Sequence, residues 1–230
     1  MRLDRFISQS SGLSRSRVRS LLQRGAVRVD GEAVRDAARQ VDADNRIEVD
    51  GEVLVPPGHR YYMLNKPAGV VCATEDGRHR TVIALLDEPR REALHPVGRL
   101  DIDTTGLLLI TDDGQWSHGI TAPRRHKEKR YLATLAEPLA DSAVAQFAAG
   151  MSLQGEEKPT LPAALEILAP TRARVTLQEG RYHQVKRMFA ALGNRVVALH
   201  REAVGSLQLD ESLAPGEYRP LRSEEVEALR

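Results

Sequence analysis

The chain has 230 residues, 41% of them hydrophobic and 28% charged, with a formal net charge of +1; this suits one large globular domain, or a medium domain plus a small one. No apolar run approaches the ~20 residues that span a bilayer, the opening MRLDRFISQS is too polar for a secretory signal, and a single cysteine, Cys72, allows no internal disulfide and fits a reducing compartment. That cysteine and seven scattered histidines offer no metal-ligand spacing, and aromatic residues, at 4%, are too few to stack a long single strand.

The near-neutral total hides an uneven distribution. Residues 1–28 carry seven arginines and one acid, residues 29–60 carry four arginines and eight acids, and a second basic run, RRHKEKR, occupies 124–130. Local clusters of this kind locate a polyanionic partner better than net charge does. In chain order, Leu3, Phe6 and Ile7 have the spacing of a short helix's buried face. Ser14 is placed to cap a second helix and Gly25 to follow its end; Val18, Leu21 and Leu22 form its apolar stripe, with Arg15, Arg17 and Arg19 mostly off it. AVRVDGEAV and RIEVDGEVLV predict hairpins around Asp30-Gly31 and Asp50-Gly51, because Asp-Gly supplies the positive φ angles of a two-residue turn. VPPGH, 55–59, reads as a linker. It divides the chain into a small domain over 1–57 and a large one over 58–230.

Beyond the linker, RYYMLNKPAGVV predicts a strand leaving into a Pro-Gly loop, TVIALLD a short helix, and GLLLIT a short apolar strand. KRYLATL alternates, with Tyr131, Ala133 and Leu135 on one face. DSAVAQFAAGM predicts a helix capped by Asp141 and stopped near Gly150, and ALEIL pairs with RARVTLQ around APT. YHQVKRMFAALGN predicts a helix with Val185, Met188, Phe189 and Leu192 on one face and Gly193 at its end. NRVVALHREAVGSLQL supplies two more strands, and SEEVEALR a closing helix. Strands with helices at irregular intervals indicate an α+β domain on a large mixed, mainly antiparallel sheet, with no regular βαβ repeat.

The segment GRLDIDTTGLLLITDDG, 98–114, concentrates four aspartates. Asp112 and Asp113 suit the start of a helix near Gln115, with Asp113 as its cap. Asp101 and Asp103 admit several readings. As loop acids they do no chemistry. As an Asp-x-Asp-x-Thr phosphatase motif they require a buried apolar strand before Asp101, which HPVGRL fits poorly, and a later acidic pair for Mg²⁺, which is not evident. As a general acid/base pair they conflict with alternation: one residue apart on an extended chain, they point in opposite directions, so one would be active and the other structural.

Two resemblances bear on the choice. RLDRFI…SRSRVRSLLQRGAVRVDGEAV closely resembles the RNA-binding module shared by a small-subunit ribosomal protein and bacterial tyrosyl-tRNA synthetases, the S-four-type fold, over about 1–50. It implies RNA contact by Arg15, Arg17 and Arg19, whose guanidinium forks match phosphate oxygens. NKPAGVV, GRLDIDTTGLLLITDDG, EKRYLA and EGRYHQVKRMF occur in the order found in pseudouridine synthases, and the Gly-Arg-Leu-Asp form resembles the branch acting on small-subunit ribosomal RNA. This second resemblance spans essentially the whole chain. It implies isomerisation of a specific uridine of 16S ribosomal RNA, uridine-516, with no cofactor and no metal.

By the same resemblance Asp101 is the catalytic acid, with Asp103 and the two later aspartates in support. Asp101 would attack the sugar's anomeric carbon or abstract a ribose proton. Either role needs its charged form, which a cation close by favours; Lys186 is that partner. Tyr131 would stack on the base and take the proton lost from carbon, and Arg99 would fill the space left by a flipped-out uridine. Lys66, Arg124, Arg125, Arg181 and Gln184 are expected to hold RNA around the cleft. The resemblance further implies a cytoplasmic monomer with no membrane partner, acting on small-subunit ribosomal RNA, free or within an assembly particle. The alternative is a non-catalytic RNA-binding assembly factor, for which an Asp101–Tyr131–Lys186 set has no use.

Overall fold

In the computed structural model, which describes every residue except Ala43, the arginine-rich start of the chain forms helices α1 (Leu3–Ser11) and α2 (Arg15–Gln23). Ser14 Oγ accepts a hydrogen bond from the Arg17 amide at 3.4 Å, and Gly25 follows the end of α2 with φ +75°. The two Asp-Gly pairs turn the hairpins β1 (Val27–Val29) to β2 (Glu32–Ala33) and β3 (Ile47–Val49) to β4 (Glu52–Val53). Both pairs have positive φ at both positions, as a two-residue hairpin turn requires. The strands form one sheet in the order β2-β1-β3-β4. Leu3, Phe6, Ile7, Val18, Leu21 and Leu22 pack against Val27, Val29, Ile47 and Val49 in a core of their own. This unit runs Met1–His59, so it takes in the Pro-Gly segment; a second unit runs Arg60–Arg230.

The second unit is built on a nine-stranded sheet. Its strands are β5 (Tyr61–Lys66), β6 (His95–Val97), β7 (Thr105–Thr111), β8 (Lys129–Leu135), β9 (Ala164–Ala169), β10 (Arg172–Leu177), β11 (Val196–Val204), β12 (Leu207–Gln208) and β13 (Tyr218–Pro220). The main order is β13-β5-β7-β11-β8-β10-β9, with β6 added to β7 and β12 to β11. The pairing of β7 with β11 is parallel and the other strand pairings are antiparallel. At that central junction Gly106 faces Arg201, and a Cβ on Gly106 would fall 2.3 Å from the Arg201 carbonyl oxygen. Glycine is required there for close approach as well as for its φ of +100°.

Helices cover both faces of the sheet, which explains the unbroken apolar run GLLLIT. Leu108 and Ile110 of β7 face one core, together with Phe147 of α4 (Ser142–Ala149) and Val185, Met188 and Phe189 of α5 (Gln184–Ala191). Leu107 and Leu109 face the other, with Trp116 and Ile120 of α3 (Gly114–Thr121) and Val226 of α6 (Ser223–Ala228). Asp113 caps α3, accepting from the amides of Gln115 and Trp116 at 3.0 Å each. Three local expectations need correction. Asp141 precedes α4 without a side-chain cap bond, since its backbone is already helical. TVIALLD yields only a short 3₁₀ turn, Ile83–Leu85. HPV, at 95–97, is a strand after all: it pairs with β7 alone, an edge position that tolerates Pro96.

Candidate active site

The site begins at the end of β5. The chain leaves Lys66 into Pro67, and the lysine side chain is fully buried. Its ammonium donates to four carbonyl oxygens, those of Thr104 at 2.8 Å, Pro67 at 3.0 Å, Asp101 at 3.1 Å and Ile102 at 3.4 Å. Burial lowers its proton affinity, against the pull of Cys72, Asp103 and Asp101. The 101–104 turn is further tied by the Gly69 amide donating to the Ile102 carbonyl at 2.8 Å and by the Leu100 amide against Cys72 Sγ at 3.2 Å. Lys66 is therefore not the phosphate contact expected from the sequence. It clamps the loop that carries Asp101.

The clamped turn presents Asp101 to α5. Lys186 Nζ donates to Asp101 Oδ2 at 2.8 Å and to Asp103 Oδ1 at 2.6 Å. Extended-chain alternation does not separate the two carboxylates, because Ile102 and Asp103 form a turn closed by the Thr104 amide on the Asp101 carbonyl at 3.1 Å. Both acids converge on one ammonium. The hydrogen bond from Lys186 holds the Asp103 carboxyl below its ordinary range, against partial burial. Burial alone would lower Lys186, but its hydrogen bonds and charge contacts with Asp101 and Asp103 outweigh that and raise it. The Asp101 side chain is 26% exposed and that of Asp103 67%. Asp101 is thus the carboxylate that is both held in place and sheltered while still reachable from solution.

Tyr131 lies in β8 next to β11, opposite Arg201, and is 9% exposed. It shares an apolar cluster with Val70, Leu100, Val185 and Met188, so its ring lies on the face of the sheet that carries α5. Arg99 is exposed beside buried Leu100 and forms no hydrogen bond or ion pair with the described residues. Arg124 and Arg125 are exposed in a short 3₁₀ turn, and in the first unit Arg15, Arg17 and Arg19 are all exposed.

Two further expected RNA contacts are engaged within the protein. The Arg181 guanidinium binds Glu179 at 3.1 Å, Glu156 at 2.9 Å and the carbonyls of Lys158 and Pro159 at 2.7 and 2.6 Å. Gln184 is buried; its carbonyl oxygen accepts from the Arg181 amide at 2.9 Å and its NH₂ donates to Glu179 at 2.7 Å. Engaged in this way inside the protein, both brace the turn into α5.

Sequence reasoning missed His183. Periodicity assigns it to the helix, but α5 begins at Gln184, and His183 has φ +48° and ψ 34°, a left-handed conformation. Its Nε2 lies 3.3 Å from Asp101 Oδ1, so both carboxylate oxygens face a nitrogen. Only the tertiary approach of α5 to the 101–104 turn reveals this. A carboxylate so oriented and partly open to solution can serve as nucleophile or base toward a ligand that reaches it.

Comparison with known proteins identifies the family to which the chain belongs. A family profile described as RNA pseudouridylate synthase matches residues 60–191, and an S4 domain profile matches residues 1–47. The chain is 56% identical to the ribosomal small subunit pseudouridine synthase A of Salmonella typhimurium, with 98% of each chain covered. It is 51% identical to the protein of that name from Haemophilus influenzae, over 100% of this chain and 99% of the relative. A crystal structure of a pseudouridylate synthase superimposes with a TM-score of 0.73 at 49% identity, covering 100% of both chains.

Proposed function

We propose, since the chain belongs to the RNA pseudouridylate synthase family and is an RNA pseudouridine synthase, that its substrate is small-subunit ribosomal RNA and its target uridine-516 of the 16S molecule. The observation that carries the site assignment is the Asp101 carboxylate, oriented by Lys186 at 2.8 Å and still partly exposed. The reaction breaks the bond from the ribose to uracil nitrogen and forms one to uracil carbon. The carbon loses a proton and the freed nitrogen gains one. Nothing is oxidised and no group is imported, so side chains suffice. Asp101 attacks the anomeric carbon or takes the neighbouring ribose proton, and is released when the base is rejoined. Lys186 orients it through the hydrogen bond at 2.8 Å. Tyr131 stacks on the base and accepts the proton from carbon.

Flipping the uridine out of folded RNA costs a few kcal/mol, and Arg99, exposed and uncommitted, takes the vacated space. Arg15, Arg17, Arg19, Arg124 and Arg125 meet phosphates, a sequence-independent positioning role. The enzyme works as a cytoplasmic monomer on small-subunit RNA, free or within an assembly particle. Mapping pseudouridine in ribosomal RNA from cells lacking this protein tests the assignment. Loss at position 516, restored by the parent and not by Asp101→Asn, is expected; an unchanged map at that position removes the target assignment.

A further inference from the structure

Nine of the 230 residues are aromatic, and eight of them are buried or partly buried. The exception is Tyr182, 74% exposed. An exposed ring gains nothing from the core, so its position is informative. Tyr182 stacks on His183, with ring centroids 3.8 Å apart and planes 20° from parallel. His183 in turn places Nε2 3.3 Å from the Asp101 carboxylate. The two rings therefore form a short stack leading from the reacting centre toward solvent, with one face of the outer ring against imidazole.

The stack is preorganised. A left-handed φ of +48° is uncommon for a residue with a Cβ and persists only where the surroundings enforce it. Here the enforcing contacts are on both sides. The Arg181 amide donates to Gln184 at 2.9 Å, Gln184 donates to Glu179 at 2.7 Å, and Arg187 donates to the Tyr182 carbonyl at 3.2 Å. Arg187 is itself tied to Glu156 at 2.6 Å and to the Gln154 carbonyl at 2.7 Å. A rigid, solvent-facing aromatic plane suits a planar apolar partner, and unpaired nucleobases are such partners because each has a π-face.

We propose that Tyr182 is a stacking platform for an unpaired base of the RNA next to the target, within two nucleotides of the uridine held at Asp101. This rests on the reading of Asp101 as the centre of uridine isomerisation. Stacking is sequence-tolerant, so the platform fixes the path of the strand and leaves the identity of the base free.

The test is a double-mutant cycle across protein and RNA, using the full chain and a small-subunit RNA fragment containing the target uridine. Parent, Tyr182→Ala and Tyr182→Trp are compared on intact RNA and on four RNAs, each with one abasic nucleotide at a position one or two residues either side of the target. Affinity and pseudouridine formation are read in the same reactions. Tyr182→Ala should bind intact RNA roughly 5- to 150-fold more weakly, the range supplied by one base–aromatic stack, and Tyr182→Trp should bind within a few-fold of the parent. At one of the four positions the abasic RNA should weaken the parent by a similar factor and Tyr182→Ala by little more, because the partner is already gone. Additive losses at all four positions, or full affinity in Tyr182→Ala, overturn the platform. Absence of pseudouridine in intact RNA treated with the parent instead removes the substrate reading and the platform's assigned neighbour with it.

Discussion

Asp101 and Asp103 sit within hydrogen-bond reach of the same ammonium, yet they should respond differently to the same change. Asp101→Asn keeps the size of the side chain and removes its charge; single-turnover pseudouridine formation should fall by about 10⁴-fold or more, as for other essential nucleophiles, with RNA affinity largely retained. Asp103→Asn, altering a largely exposed partner of Lys186, should cost far less; a dead Asp103 variant beside an active Asp101 variant would reverse the assignment. Lys186→Met removes the ammonium that donates to Asp101 Oδ2, so single-turnover pseudouridine formation should fall by on the order of 10²-fold or more as the carboxylate loses its fixed orientation. Lys186→Arg should keep much of the activity, and an unchanged rate in Lys186→Met would separate this lysine from the acid. Lys66 acts one step further back. Replacing it by Met leaves turn carbonyls without their buried donor, which should destabilise the second unit by roughly 2–4 kcal/mol in denaturant melts. Its sequence context, NKP, reads as a loop lysine; the burial comes from the return of residues 101–104 over the end of β5, which no local pattern encodes.

At the scale of elements, the decisive piece is β7. Its run of apolar residues is legible as a strand, but its place beside β11 in a parallel pairing depends on the close approach at Gly106. The strand starts directly after the clamped turn, so the sheet's centre sets where Asp101 stands. α5 is legible from Val185, Met188 and Phe189, whereas its start is displaced past His183 by tertiary contacts that override periodicity. The C-terminal helix α6 is held by charge. Arg219 donates to both oxygens of Glu225 at 2.8 and 2.9 Å, and the Arg222 amide donates to Glu225 at 2.8 Å. The hydrogen bond from Arg219 leads in depressing the Glu225 carboxyl to about 2, against desolvation. A carboxyl of ordinary unfolded value near ~4.3 that is depressed in the folded state contributes stability in full above that value. The contribution is lost as the pH falls toward 2. Glu225→Gln should therefore lower the melting temperature at pH 7, by roughly 2–4 °C for a loss on the order of 1 kcal/mol after solvent screening. The difference from the parent should shrink as melts are run from pH 5 down to pH 3; a constant difference would mean that packing, not the ionised carboxylate, docks the helix.

For the whole molecule, the proposed function assigns RNA positioning to the first unit and chemistry to the second. Neutralising Arg15, Arg17 and Arg19 removes up to three phosphate contacts, each worth a log–log salt slope of roughly 0.7 to 0.9. The triple variant should bind RNA more weakly at low salt with a slope shallower by about two to three units, while its single-turnover rate at saturating RNA stays within a few-fold of the parent, since all three lie in Met1–His59. A collapsed saturated rate with unchanged affinity would make the first unit an organiser of the active site. That unit was almost wholly legible, because its Ser14 cap, its Asp-Gly turns and the apolar stripe of α2 act on residues close in the chain. So were the alternating strands of the second unit, while Asp101, Tyr131 and Lys186 were marked as candidates by resemblance and not by geometry. The tertiary structure alone decided which groups meet. Lys186 reaches Asp101 across 85 residues and Lys66 reaches it across 35; Arg181 and Gln184 are turned inward by Glu156 and Glu179; Tyr182 is left exposed over His183. The physical reason is the same in each case: a side chain's spacing specifies the face of its own element, but its partners and its access to solvent are set by segments distant in sequence that fold back over it.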